Sequence, residues 1–596
     1  MEESLLEIYQ KRVQEFTSNL DKHKKIRSRL GWIRLFAIVI SFALGFYFFP
    51  RDPFIAAGII VGGLVAFLAA VSADAKNNAK ISSNERMLLI NNEEISIHNH
   101  KYNHRENGLA YLPHEHPYAA DLDLFGDYSL YQYINRCTSA QAKELLSQQL
   151  MHPLSFDAII EQQEAIKELA PNLHWRQETI AAGLEHSLTK STEIRIENWL
   201  QSVMPYSRKI WSVVLIIYPL LTLGSLAAFL FDYISSQAFS GLVGLYFITG
   251  LLISKNIHLT YTSLTKIENE ISTLRKQLLH FEQLEVTSPL LVLLKQNIQD
   301  GRKASDNIHE LTQVLNRFDY RLNILAYFVL NSFLLWDLRQ VIALRTWRNK
   351  NGKNVAGWIK TIAHIEVLNS LSTLAYNHPA WVYPTMVLDH FTFSATNVGH
   401  PLIDERKRVD NSFATKGTGR VSIITGSNMA GKSTFLRSIG VNVVMAQMGT
   451  VICASSFTLS PVQLYTSMRV TDNLAENTST FYAELKKLKS IIDAVKKQEK
   501  IFILLDEILR GTNSLDRHTG SKALIKQLIG QRAVAVIATH DVELAALEKS
   551  YITSIKNYHF DVQVEGEELY FDYKLKNGVC QSLNASLLMK KIGIEI

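Results

Sequence analysis

The sequence predicts a composite chain: an α/β domain built around a phosphate-binding loop, a mainly α-helical lever, and four transmembrane helices. Three observations predict it. Four apolar runs of 17 to 22 residues lie within the first 254 positions. A short apolar run enters a glycine-rich turn that opens into a helix, "SIITGSNMAGKSTFLRSIG", at 422–440. Two further buried-strand patterns, "IFILLDE" (501–507) and "AVAVIATHD" (533–541), end in groups able to carry chemistry.

Bulk properties bound the reading. A chain of 596 residues exceeds one core, so several folding units are expected. Hydrophobic content is 47% and mean hydropathy is +0.02. That is high for a soluble enzyme and low for a pure transporter. The net charge of +6 and pI near 8.8 match the positive flanks that orient membrane helices. Cys137, Cys453 and Cys580 are far apart and odd in number, which implies no disulfide framework and fits a reducing cytoplasm. The polar first thirty residues are unlike a secretory signal peptide.

Residues 1–120 are expected to form a basic helix, a membrane hairpin (32–49 and 54–73) and a polar linker. The hairpin runs carry one charge, Arg34, placed near an end where it can snorkel. Residues 121–400 are expected to form a helical lever interrupted by a second hairpin, 210–231 and 238–254. Each run approaches the roughly 20 residues that cross a bilayer core of about 30 Å. Lysines and arginines crowd residues 11–29 and recur at Lys76, Lys80, Arg86, Arg208, Lys209 and Lys255, whereas the short turns hold only Arg51. This asymmetry places both termini and the central region in the cytoplasm of a cell membrane. Gly62, Gly63, Gly241 and Gly244 would let helices approach closely. Residues 255–345 show helical spacing, as in "LTKIENEISTLRKQLLHFEQL". His98, His100, His104, His114 and His116 cluster in a polar stretch read as a solvated linker rather than a zinc site. The basic stretch "RTWRNKNGKN" (345–354) reads as a solvated turn.

Residues 401–596 form the expected α/β domain. Gly426, Gly431, Lys432 and Ser433 satisfy G-x-x-x-x-G-K-[ST]. The loop Gly426, Ser427, Asn428, Met429, Ala430 and Gly431, continuing through Lys432, Ser433 and Thr434, would wrap phosphates with backbone N–H groups at a helix N-terminus. Lys432 would reach the β- and γ-phosphates, and Ser433 with Asp506 would hold Mg²⁺. Glu507 would orient and deprotonate the attacking water, and His540 would sense the γ-phosphate.

At this point the motifs resemble a known family. "TGSNMAGKSTF" and "LLDEILRGTNSLD" are similar to the ATPase domain of the DNA mismatch-repair MutS proteins, an ABC-type P-loop NTPase. "GHPLI" (399–403), "NSFATKG" (411–417), "MAQMGTVICA" (445–454), "DNLAENTSTFYAELKKL" (472–488) and "YKLKNGVCQSLNASLLMKKIGI" (573–594) resemble its flanking segments. Residues 122–169 and 365–384 resemble the start and end of the family's helical core. The resemblance implies ATP and Mg²⁺ as cofactors and a homodimer, with Ser479 contacting nucleotide held by the other subunit. It also implies Phe413 near adenine and Gln447 at a lid-loop position.

The departures shape the functional expectation. Ser427 and Ala430 replace the family's proline and glycine, and Leu509 replaces the glycine of "DEIGRGT". No LSGGQ stretch appears, which disfavours an ordinary ABC transporter. The mismatch-reading domain with its Phe-x-Glu wedge is expected to be lacking, and the second oily hairpin falls where the family inserts its DNA clamp. Three readings follow: a membrane-anchored MutS-family ATPase that binds DNA, a membrane mechanoenzyme or transporter with a MutS-like motor and no DNA binding, and a nucleotide-switched scaffold. The bilayer and a second copy are expected partners, with DNA a candidate.

Overall fold

A computed structural model describes residues 4–580 apart from 207, 300, 428–429, 470–479, 498 and 566–567. The chain divides into two compact units, residues 1–104 with 173–185, and 105–172 with 186–596.

The first unit is a helical hairpin longer than the sequence pattern suggested. The basic segment and the first apolar run form one helix, Leu5–Phe48. Ser4 and Glu7 open it with a reciprocal capping box. The second helix, Pro53–His98, starts from Asp52, whose carboxylate accepts the Phe54 and Ile55 N–H groups, with Pro53 in the first turn. Helices of 44 and 46 residues would run roughly 65–70 Å, more than twice a bilayer core. The hairpin is therefore an apolar tip on a polar stalk. Arg34 does not reach outward: it pairs with Asp74 at 3.1 Å, at the junction of tip and stalk. Within the tip, a Cβ on Gly63 would lie 2.2 Å from Ser41, and one on Gly45 2.8 Å from Ile60. These two glycines set the close approach, whereas Gly62 faces open space. Helix Leu173–Gly183 joins this unit because Gln177 exchanges hydrogen bonds with Asn91 and accepts one from Arg12. His104 bonds Glu93 at 2.8 Å.

The second unit holds the rest of the lever, the second apolar pair and the α/β head. The lever is organised by helix Val355–Asn377, most of whose residues are buried. Its buried Glu366 accepts the Thr138 and Ser139 N–H groups at 2.7 and 2.9 Å, and the Gln277 amide at 2.8 Å. Helix Ala140–Met151 begins there. The second pair of apolar helices is Ile210–Leu230 and Ser236–Thr265, the latter continuing past the expected end at 254. A Cβ on Gly241 or Gly244 would meet nothing within 4 Å. Among the described residues, four helices are long and apolar enough to cross a membrane, and their apolar windows are largely exposed.

The head has two sheets. Strands are β1 (Thr385–Met386), β2 (Thr392–Val398), β3 (Asn411–Lys416), β4 (Arg420–Thr425), β5 (Ser456–Leu459), β6 (Gln463–Ser467), β7 (Ile501–Asp506), β8 (Val534–Thr539), β9 (Ile555–Glu565) and β10 (Glu568–Asn577). The smaller sheet runs β1-β5-β2-β3, so the head begins before residue 400. The larger runs β10-β9-β4-β8-β7-β6, all parallel except β10. Except at Arg420, β4, β7 and β8 are buried along their whole length, as the strands of a parallel sheet covered on both faces are. Register fixes the site: Thr425 pairs with Thr539, and Asp506 with Ala538. The carboxyl ends of three adjacent strands are therefore level, where α/β sheets bind ligands.

Candidate active site

Gly426 leaves β4 and turns the chain toward helix Lys432–Gln447. Only glycine suits its φ of +150°, since a Cβ would sit 2.7 Å from the Phe560 carbonyl oxygen. Gly431 has φ +103°, and a Cβ there would lie 3.0 Å from the Tyr573 ring. Lys432 opens the helix, and its Nζ donates to the Gly426 and Ser427 carbonyls at 2.8 Å each. Burial pulls its pKa down to about 8, against the nearby carboxylates of Asp506 and Glu507.

Asp506 closes β7 and Glu507 follows with φ +52°. The Glu507 N–H donates to the Ala538 carbonyl at 2.9 Å, which turns its side chain toward the end of β8. Its carboxylate meets His540 Nε2 at 2.6 Å and Arg510 Nε at 2.8 Å. The hydrogen bond to His540 holds the Glu507 carboxyl below the usual carboxylate range. His540 also lies 3.4 Å from Lys432 Nζ. Lys432, Glu507 and His540, drawn from three strand ends, thus meet in one cluster.

A cavity of about 610 Å³ opens over this cluster, a volume ample for a nucleotide. Ala430, Gly431, Lys432, Ser433, Thr434 and Asp506 line one part of it. The remainder is walled by Val398, Ile403, Phe560 and Tyr573, with His400 and Arg408 beside them. Its donors fit the groups expected from the motif. Among the described residues, the buried Ser427 Oγ has no partner. Ser433 and Asp506 offer the hard oxygen ligands that Mg²⁺ prefers.

Two expected residues are not brought to this cavity. Phe413 is buried beneath it among Phe393, Phe435 and Tyr558, with ring centroids 5.5–6.0 Å away. It supports the lining residue Phe435 instead. Gln447 ends the helix and is buried, its amide donating to the Val462 carbonyl. The geometry there is a brace between helix and β6. Asn428, Met429, Ser479 and most of the closing segment (581–594) lie outside the described residues.

Three residues that the motifs did not single out matter as much. Arg510 bridges Glu507 and Asp506, reaching the Asp506 carbonyl at 3.0 Å and its carboxylate at 3.5 Å. Glu484, buried on helix Thr480–Lys496, accepts the Leu509 and Arg510 N–H groups at 2.5 and 3.1 Å. Leu509 needs that anchor, because it sits at φ +61°, a region costly for any residue with a Cβ. Asp121 is buried and accepts from the Thr466 hydroxyl, from the Met468 and Arg469 N–H groups, and from Lys487. The only sequence signal for Glu484 or Asp121 is a carboxylate amid apolar neighbours.

The level strand ends, the glycine loop and the paired carboxylates define a P-loop ATPase-type domain. Comparison with known proteins specifies it further. Residues 422–589 match MutS domain V. The chain is 32% identical over 242 residues to the DNA mismatch repair protein MutS of Thermotoga petrophila, covering 40% of this chain and 29% of that protein. It is 28% identical over 323 residues to MutS of Persephonella marina, covering 52% and 35%. It is 33% identical over 200 residues to MutS protein homolog 4 of Mus musculus, covering 32% and 20%. Residues 422–589 thus carry a MutS-type domain V, and the chain spans about a third or less of the length of these relatives.

Proposed function

We propose that this chain is a membrane-anchored ATPase of the MutS type, in which nucleotide-driven closure of a homodimer moves helical levers that end in lipid. One observation carries the reading. Within a single compact unit, the head that holds the nucleotide cavity shares its fold with a lever that bears two largely exposed apolar helices long enough to span a bilayer. A head that changes shape on this lever delivers its motion to those helices.

The chemistry follows from the cluster. Glu507, kept ionised by His540 and Arg510, accepts a proton from the attacking water. Lys432 lies along the loop where the β- and γ-phosphates are cradled and balances their charge. His540 is tied to Glu507 and is placed to report the γ-phosphate to it. Ser433 and Asp506 would hold Mg²⁺, whose charge offsets that of the transferred phosphoryl group.

The test is ATP turnover by the full chain in lipid nanodiscs, compared with detergent and with the Glu507→Gln variant. Turnover that is lost in Glu507→Gln and altered by lipid is expected. No turnover above the variant would refute the ATPase reading. A full chain that stays soluble and monodisperse without detergent would refute the anchoring.

DNA binding is the second reading, favoured by the similarity to bacterial DNA mismatch repair proteins. Phosphate contacts release counterions, so genuine duplex binding should weaken steeply with salt. Negligible, salt-independent binding in nanodiscs would leave the membrane motor alone.

A further inference from the structure

Beyond the four spans, the second unit carries a fifth apolar helix, Ile324–Leu334. No charge occurs between Arg321 and Asp337, so fifteen uncharged residues separate them. Eleven helical residues rise only about 16 Å, half of a bilayer core, so this helix cannot span. The polar helices on either side, Ala304–Phe318 and Trp336–Asn351, are joined to each other by the Trp347 indole donating to the Asn307 carbonyl at 2.6 Å. The segment therefore leaves and rejoins the lever on the same side.

One face of the short helix is fastened to the second apolar pair. The Tyr218 hydroxyl donates to the Ser332 carbonyl at 3.0 Å, and Thr222 donates to the Phe333 carbonyl at 2.9 Å. These bonds satisfy carbonyls at the helix C-terminus that have no partner within the helix. Gly250 admits the Asn331 carbonyl, which a Cβ would meet at 2.9 Å. Phe247 packs on Phe328 at 5.3 Å. The opposite face is bare: Leu322, Ile324, Leu325 and Val329 are 71, 84, 78 and 51% exposed.

We propose that Leu322–Trp336 is a re-entrant membrane segment, seated among the acyl chains of the leaflet on the lever's side. The span to which it is fastened is likewise apolar and exposed, at Ile216 and Leu220 among others. An aromatic pair, Tyr320 stacked on Trp336 at 6.0 Å, marks its base as interfacial aromatics do. Exposed Arg317 and Arg339 flank it, suited to anionic headgroups, while Arg321 turns inward to pair with Asp337 at 3.6 Å. At its return, buried Asp337 accepts the Ser254 hydroxyl, and its N–H donates to Asn331 Oδ1 at 2.9 Å. Helix Trp336–Asn351 thus starts at the membrane, and tilting of the spans is passed to it through this contact. The proposal rests on the membrane reading of the 210–257 pair.

Nitroxide labels test it in the full chain in nanodiscs, with the three buried cysteines replaced by alanine. Labels go at Leu325→Cys and Val329→Cys, with Ile216→Cys and Leu220→Cys as span controls and Lys353→Cys as the aqueous control. A several-fold excess of oxygen over nickel-chelate accessibility at 325 and 329, equal to that at 216 and 220, is expected. Lipid-like controls with water-accessible 325 and 329 would overturn the re-entrant segment while leaving the anchor intact. Labels at 325 and 329 shielded from both reagents would overturn it in favour of a protein occupant such as a second copy. Water accessibility at all four sites would overturn the membrane reading itself, and the proposal with it.

Discussion

Nucleotide binding to this protein is predicted to take up protons at alkaline pH, through Lys432. The Lys432 ammonium is buried between the loop carbonyls and the His540 ring. Burial outweighs the attraction of Asp506 and Glu507 and leaves its pKa at about 8. Such an amine is roughly 10% neutral at pH 7, about 50% at pH 8 and about 90% at pH 9. A bound triphosphate beside Lys432 favours the charged form and raises that pKa. Binding should then take up about 0.1 proton at pH 7, about 0.5 at pH 8 and about 0.9 at pH 9. Affinity should fall by up to about tenfold per pH unit above 8 for the same reason.

Calorimetric titration with a non-hydrolysable ATP analogue and Mg²⁺, in buffers of different ionisation enthalpy, measures the uptake directly. Lys432→Arg is the control, since a guanidinium stays charged throughout this range. The difference between the two proteins isolates the lysine from phosphate and buffer ionisation. Equal uptake by both proteins at pH 9 would refute the reasoning. So would an uptake that grows as the pH falls.

Further perturbations address other parts of the molecule. Glu507→Gln should bind nucleotide normally and lose turnover by about 10²–10⁴-fold, read by phosphate release, because it keeps the shape but not the base. Leu509→Gly relieves a backbone cost of about 1–2 kcal/mol but deletes a buried side chain worth about 2–5 kcal/mol. Net destabilisation is expected, and a higher urea midpoint would contradict it. Gly63→Val should splay the first hairpin, costing about 1–3 kcal/mol by overpacking against Ser41. Gly62→Ala, facing open space, should not. Pulsed EPR distances between labels at Arg29 and Lys80 would separate the two. Asp121→Asn with Lys487→Met forms a double-mutant cycle across a partly buried ion pair, and a coupling of about 1–3 kcal/mol is expected in thermal melts.

Much of this cluster's geometry was legible because a phosphate-loop motif has fixed local spacing. Gly426 to Ser433 is contiguous, and the loop's glycines are demanded by φ values and close approach within a few residues. Asp506, Glu507 and His540 were legible for a second reason: apolar β7 and β8 announce buried parallel strands, whose ends must converge. Contacts between distant segments left no such mark. Gln447 and Phe413 carry polar and aromatic side chains whose partners, Val462 and Tyr558, are fixed only by tertiary packing. The basic helix before the first run was expected, but the second stalk, 74–98, was read as a polar linker, because hydropathy reports where a helix is oily, not where it ends. The short helix Ile324–Leu334 fell below the length at which an apolar run signals a membrane.

The unassigned carboxylates suggest how the head's state reaches the lever. The stretch resembling the family's signature is bracketed by described residues on both sides. Before it, Arg469 forms a bidentate pair with Asp123 at 2.5 and 2.8 Å, and its N–H is held by Asp121. After it, Lys487 binds the same Asp121, while Glu484, one turn earlier on that helix, holds the Leu509–Arg510 backbone beside Asp506 and Glu507. Residues 121–123 lie at the start of the lever, only a few residues before helix Leu130–Ile134. One rigid helix therefore carries at one end the tie to Glu507's loop and, a turn on, the tie to the lever. Because Leu509 is held at a positive φ by Glu484, the loop cannot relax on its own. In the proposed motor, a change in Arg510's hold on Asp506 and Glu507 would be passed to Glu484, and from there to Lys487 and Asp121. A glycine at 509 would let the loop absorb that change locally, so leucine there makes the connection stiffer.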